Sequence, residues 1–360
     1  MKKSIIIIIV LLVVVAAGFF AWKCFGQATG FTTKNKYLII YSQKATKQEV
    51  LNSLLKDSII TNPSFFILLA NRLHYWDAIK PGRYKIENGQ SAYSIIQTLK
   101  SGVQESVKWV IVKLRTPENL AAVIGKKFEC DSAKMYHFLT DLEKLKKFGV
   151  DTQNLMTAVI PNTYAIKWNT SPEKIFERLW IEQQKFWNTN NRKELATKLG
   201  YTPQQIYTIA SIVEEETNKK EDKGNIASVY FNRLKLGMSL DADPTIKYAL
   251  RNFKLKRIYF KDLEVVSPYN TYKNKGLPPG PICTPSIETI DAVLNAPTTD
   301  YLYFVARSDF SGFSDFASNF EQHKKYAQAY QKALDTLMAK KKLGDSTKDV
   351  LNGNKKASLL

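Results

Sequence analysis

From Ile5 to Trp22 the chain runs through 18 residues without a charge. At about 1.5 Å per residue that is about 27 Å of helix, close to the ~30 Å hydrocarbon core of a bilayer. Whatever else the chain builds must fold as a body tethered behind this stretch. Lys2 and Lys3 favour a cytoplasmic N-terminus, while Lys23, Lys34 and Lys36 beyond the run weaken the asymmetry. The run is longer than a usual signal-peptide core, and Ala16-Ala17-Gly18 lies inside it. The expectation is an uncleaved single-pass anchor in the cytoplasmic (inner) membrane, with the remainder outside the cytoplasm. Cys24 follows Trp22 and Lys23 rather than small residues, which argues against a lipidated cysteine.

The rest of the 360 residues is ample for two or three folded units. Lys+Arg number 52 against 33 Asp+Glu, a net charge of +19, which suits an anionic partner: a lipid surface, an acidic polymer or nucleic acid. Behind a membrane anchor, and without a zinc-finger, RNP or helix-turn-helix signature, nucleic acid is not expected. Cys24, Cys130 and Cys283 are far apart and form no CxxC, so neither a disulfide framework nor a metal site is expected, and no cofactor is called for.

Periodicity predicts an α+β fold. Tyr37–Tyr41 reads as a strand, and helical patterns follow around Val50–Leu55 and Phe65–Leu73. Pro81-Gly82 turns into a strand through Tyr84 and Ile86, and Ser91 caps a helix that Gly102 stops. Val107–Val112 reads as a strand, Thr116-Pro117 opens a helix, and Ser132–Phe148 is helical. Ser171-Pro172 launches a further domain, and Thr284-Pro285 starts a late helix. The expected division is an anchor at 1–25, a linker at 26–36, a βααβ module at 37–108, a connecting region at 109–170, a C-terminal domain at 171–340 and a disordered basic tail at 341–360.

The stretch that raises chemistry is Ala210-Ser211-Ile212-Val213-Glu214-Glu215-Glu216-Thr217. Thr202, Pro203 and Gln205 give a capped helix start ahead of it. At about 100° per residue from Ile206, Glu215 falls at about 180° from the apolar arc and is expected to face water. Glu214 at about 80° and Glu216 at about 280° flank that arc, where a helix borders a cleft. A carboxylic acid that protonates a glycosidic oxygen near neutrality needs a pKa of about 6 against an ordinary value of about 4.3, about 2.7 kcal/mol of disfavoured charge. Partial burial supplies that. Downstream lie further unusual segments: Asp243-Pro244-Thr245, the aromatic and amide group Tyr269-Asn270-Thr271-Tyr272, the stiff loop Pro278-Pro279-Gly280-Pro281, and Phe316, Asn319 and His323.

With these segments in ordered succession, "ASIVEEET", "IASVYFNRLKLGMSLDADPT", "YNTYKNKGLPPGPICTPS", "YLYFVA" and F-x-x-N-x-x-x-H, the sequence resembles the MltG (YceG-like) family of endolytic murein transglycosylases over about 171–340. Gly82 to Ser91 resembles that family's LysM-like module, which makes 37–108 that module. The resemblance implies cleavage of MurNAc-GlcNAc β-1,4 bonds in nascent peptidoglycan to leave 1,6-anhydro-MurNAc ends, ending strand elongation, with peptidoglycan synthases as partners. It implies Glu214 as the catalytic acid and Glu216, Asp243, Thr245, Tyr269, Asn270, Thr271, Tyr272 and Asn319 as substrate-binding residues. Ser314 stands where relatives often carry a His, and Asn162 where they carry an Asp. The competing reading is a noncatalytic wall-binding scaffold, against which the intact acidic motif speaks.

Overall fold

The apolar run forms helix α1 (Lys2–Phe25), of which Lys3–Phe25 is long and apolar enough to cross a membrane; its apolar stretch is exposed, while Cys24 near its end is buried. The computed structural model describes residues 2–357, with side-chain surroundings for 3–339. In chain order β1 (Asn35–Ile40), α2 (Lys47–Lys56), α3 (Pro63–Arg72), β2 (Gly82–Glu87), α4 (Ala92–Ser101) and β3 (Val107–Val110) follow. Then come α5 (Pro117–Lys127), α6 (Ser132–Thr140), α7 (Leu142–Lys146), β4 (Thr163–Ile166) and α8 (Pro172–Trp187). The chain ends with α9 (Arg192–Lys198), α10 (Pro203–Glu216), α11 (Lys220–Lys235), α12 (Asp243–Ala249), α13 (Ile287–Leu294), β5 (Tyr303–Ala306), β6 (Ser314–Ala317) and α14 (Phe320–Ala357). The protein is mixed α+β, with three two-stranded antiparallel sheets among the described residues: β1 with β2, β3 with β4, and β5 with β6.

Two compact units result: Met1–Val110 with Ala121–Phe138 and Thr163–Ile175, and Ile111–Leu120 with Leu139–Asn162 and Phe176–Leu360. The first is built on the β1–β2 pair, whose inward side chains Leu38, Ile40, Tyr84 and Ile86 are buried with Leu54, Phe66 and Ile95. Its helices start where hydrogen-bonding caps dictate: Thr46 accepts from the Glu49 N–H, Asn62 from that of Phe65, and Ser91 from that of Ser94. Gly102, at φ 73, ends α4 in the left-handed conformation that only glycine enters cheaply.

One helical expectation changes in the structure. The helix expected over 132–148 is broken, because Asp141 leaves helical geometry and accepts from the Lys144 N–H at 3.2 Å, capping a second helix. The last helix, α14, runs to Ala357. Residues 358–360 lie outside the described residues.

The second unit is organised around α10. Every residue from Ile206 to Val213 is buried, by α9, α11, α12 and α13. A helix covered on all sides is a core helix rather than a surface one. Each of its larger apolar side chains contributes about 1.5–3 kcal/mol of burial.

Candidate active site

Helix α10 is set by both of its ends. At the start, Thr202 accepts from the Gln205 N–H at 3.2 Å while the Gln205 side chain accepts from the Thr202 N–H at 2.8 Å, the reciprocal capping pair expected. Midway, Ser211 accepts from the Ile282 N–H at 3.0 Å, tying the helix to the proline loop. That loop is held from its other side too, since Gly280 packs against the Gln153 carbonyl so closely that a Cβ would sit 2.1 Å from its oxygen.

The three glutamates that close the helix meet three different surroundings. Glu214 turns into a closed polar nest: its Oε2 accepts from Ser286 Oγ at 2.9 Å and from Thr289 Oγ1, and lies 3.4 Å from the buried Lys223 Nζ. Lys113 Nζ stands 3.6 Å from its other oxygen. Burial pushes this carboxyl up, but the Thr289 hydroxyl, the Lys223 charge, the Ser286 hydroxyl and the Lys113 charge outweigh it and hold Glu214 below its ordinary value. Glu215 does not face water as expected. Both of its oxygens accept from Arg115 Nη2 at 3.0 Å, with Lys113 Nζ at 3.2 Å from one of them, because the chain through Lys113–Arg115 runs over the face a helical wheel leaves open.

Glu216 lines a cavity of about 400 Å³ with Arg233, Leu240, Asp241, Asp243, Tyr272, Tyr303, Phe304, Phe320 and His323. Its Oε1 accepts from Tyr230 Oη at 2.7 Å. Burial is the main cause that pushes its carboxyl up to about 7; the Tyr230 hydrogen bond opposes the rise and the neighbouring Asp243 charge adds to it. Asp243, at the start of α12, accepts from Tyr272 Oη at 2.6 Å. The cavity therefore holds one carboxyl lifted towards neutrality beside a second in a hydrogen-bonded setting.

The structure brings Glu216, Asp243 and Tyr272 together and leaves the other expected site residues elsewhere. Asn270 is fully buried, donating to the Leu263 and Val265 carbonyls at 2.9 and 2.8 Å and accepting from the Tyr272 N–H at 3.0 Å, so it shapes the turn that carries Tyr272. Thr245 and Thr271 are buried against each other at 2.9 Å, and Thr271 accepts from the Ala242 N–H, bracing the approach to Asp243. Tyr269 packs on Tyr248 at 4.6 Å and donates to the Gln153 carbonyl at 3.3 Å. Asn319 caps α14, accepting from the Gln322 N–H at 3.0 Å. Ser286, rather than Thr284, caps α13; Thr284 instead accepts from the Leu114 N–H at 2.8 Å.

The YceG-like family profile matches residues 40–329 of the chain. The chain belongs to the YceG-like family. It is 33% identical over 265 residues to a Bacillus subtilis protein named endolytic murein transglycosylase, covering 69% of this chain and 72% of that one. It is 30% identical over 311 residues to a Streptococcus pneumoniae protein of the same name, of which the match spans 55%. Among solved structures it is similar to a YceG-like protein of Listeria monocytogenes, with a TM-score of 0.52 and 27% identity, covering 82% of this chain and 99% of that one. In this member of the YceG-like family, Arg233, Asp241, Tyr230, Tyr303 and His323 join the site although sequence reasoning assigned them no role. All lie in or beside motifs that carry the resemblance, and only the fold shows which of them converge.

Proposed function

We propose that this chain is an endolytic murein transglycosylase whose general acid is Glu216. The observation that carries the assignment is the Glu216 carboxyl, lifted to about 7 by burial beside Asp243 and opening on the cavity. Glu214, the acid implied by the sequence resemblance, has the opposite setting: two hydroxyls and two ammonium groups favour its ionised form. An acid already deprotonated has no proton to give a leaving oxygen.

The reaction balances with one carboxyl. Glu216 gives its proton to the glycosidic oxygen as the bond from the anomeric carbon breaks, and the bonding pair leaves with that oxygen. The C6 hydroxyl of the same MurNAc then attacks the anomeric carbon, and its proton returns to the Glu216 carboxylate, so no water is consumed. Tyr230 fixes the carboxyl by its 2.7 Å hydrogen bond. The Asp243 charge keeps the proton on Glu216 before cleavage and faces the positive charge that develops on the sugar.

The N-terminal helix supports a single-pass anchor with the N-terminus in the cytoplasm and the glycan-cleaving unit outside it. The β1–β2 module, read as LysM-like, would attach to the wall, and peptidoglycan synthases would supply the nascent strands.

Digestion of uncross-linked peptidoglycan by the full chain, with products weighed by mass spectrometry, tests the assignment. The parent is expected to leave 1,6-anhydro ends, lighter by one water than hydrolytic ends. Glu216→Gln is expected to lose at least about 100-fold in rate, the scale of a general acid, while Glu214→Gln keeps measurable activity. Full activity in Glu216→Gln, or reducing ends from the parent, overturns it.

A further inference from the structure

The polar side chains at the acid end of the cavity are committed to each other: Glu216 to Tyr230 and Asp243 to Tyr272. Arg233 is committed as well, donating to the Leu302, Ser239 and Leu240 carbonyls at 2.7, 3.2 and 3.0 Å and to Asp241 at 3.0 Å. His323 differs. Its Nδ1 is sealed from solvent and has no hydrogen-bond partner among the described residues, although the residue lines the same cavity. A nitrogen sealed from solvent is out of a ligand's reach, so the group that the ring presents to the cavity is its other nitrogen, which no side chain or carbonyl among the described residues engages.

The imidazole is also held in one plane. It stacks on the Tyr303 ring at 5.2 Å and 22°, with Phe320 at 6.2 Å on the same first turn of α14. Tyr303 is fixed in turn by its place in β5, paired with Ala317 of β6. Burial and the nearby Arg233 charge hold the imidazole below its ordinary pKa, so at neutral pH it offers one donor and one acceptor and no charge. A rigid neutral imidazole suits an amide or hydroxyl rather than a carboxylate or phosphate.

We propose that His323, oriented by Tyr303, is a specificity-determining residue that binds the acetamido group of the N-acetylated sugar seated across Glu216. This rests on the reading of the cavity as the glycan cleft. His323 takes no proton from the reaction; it sets how deeply and in what register the sugar lies against the acid.

The test uses the full chain with uncross-linked glycan strands as substrate. His323→Phe keeps the stack on Tyr303 and removes both nitrogens, whereas His323→Gln keeps a donor and an acceptor. His323→Phe is expected to raise KM about ten-fold, the scale of one desolvated hydrogen bond, with kcat within about two-fold of the parent and the pH profile unmoved. His323→Gln is expected to recover part of the loss. On strands chemically stripped of their N-acetyl groups, parent and His323→Phe are expected to show the same KM. Unchanged KM in His323→Phe overturns the proposal, as does a full His323→Phe penalty on the deacetylated strands. If His323→Phe fails to fold, His323→Gln and the parent decide: a parent that handles acetylated and deacetylated strands with equal KM also overturns it. Retained cleavage by Glu216→Gln beside the expected His323 behaviour would remove the acid assignment and leave this one standing.

Discussion

Each step along a helix turns the side chain by about 100°, so three consecutive glutamates leave the helix in three directions. Glu214 meets α11 and α13, Glu215 meets the segment carrying Lys113 and Arg115, and Glu216 meets the cavity. Glu214 and Glu216 thus acquire opposite protonation tendencies from position alone. With the Glu216 carboxyl at about 7, kcat is expected to fall as pH rises through about 7, because the acid then enters the cycle without its proton. Asp243 raises that carboxyl and the Tyr230 hydrogen bond lowers it, so the two removals work in opposite directions. The fall in kcat is expected at lower pH in Asp243→Asn and at higher pH in Tyr230→Phe, read from pH-rate profiles of each variant. Profiles that move together, or not at all, would separate Glu216 from the rate.

Among elements, α10 shows how much of the site was legible beforehand. Its start was readable because a capping pair and a proline are local signals, complete within four residues. Its solvent face was not. Glu215 is covered by Arg115, 100 residues away in sequence, and a helical wheel has no access to that partner. The same limit moved the start of α13 past Thr284-Pro285, where it was expected, to Ile287 with Ser286 as its cap, since Thr284 is taken up by Leu114. Asn270, Thr271 and Thr245 are chemically fit to hold a sugar, yet the fold spends their polar groups on the turn that presents Tyr272 and Asp243. The contact that seats the proline loop is the Gly280 approach to Gln153. Gly280→Ala forces a Cβ onto that backbone oxygen and is expected to cost about 1–3 kcal/mol, seen as a lowered midpoint in thermal unfolding. An unchanged midpoint would mean the loop seats itself without that contact.

At the scale of the whole molecule, the chain divides its tasks between an exposed apolar helix, a unit built on the β1–β2 pair and a unit built around a buried helix. Composition announced the first, because an uncharged run of bilayer length has few other uses. The YceG-like family match spans both units, residues 40–329, and in the third part the core helix brings one acid, Glu216, to the wall of a cavity. Burying α10 along Ile206–Val213 fixes where the proposed acid stands, so the packing that stabilises this unit also positions that carboxyl. The central claim is that Glu216 and not Glu214 carries the proton near neutral pH. The direct measurement is side-chain carboxyl titration by carbon-13 NMR on the parent, Glu214→Gln and Glu216→Gln. A carboxyl titrating at about 7 is expected in the parent and in Glu214→Gln and absent from Glu216→Gln. Its disappearance from Glu214→Gln instead, or the lack of any carboxyl titrating above the ordinary range, would contradict the account.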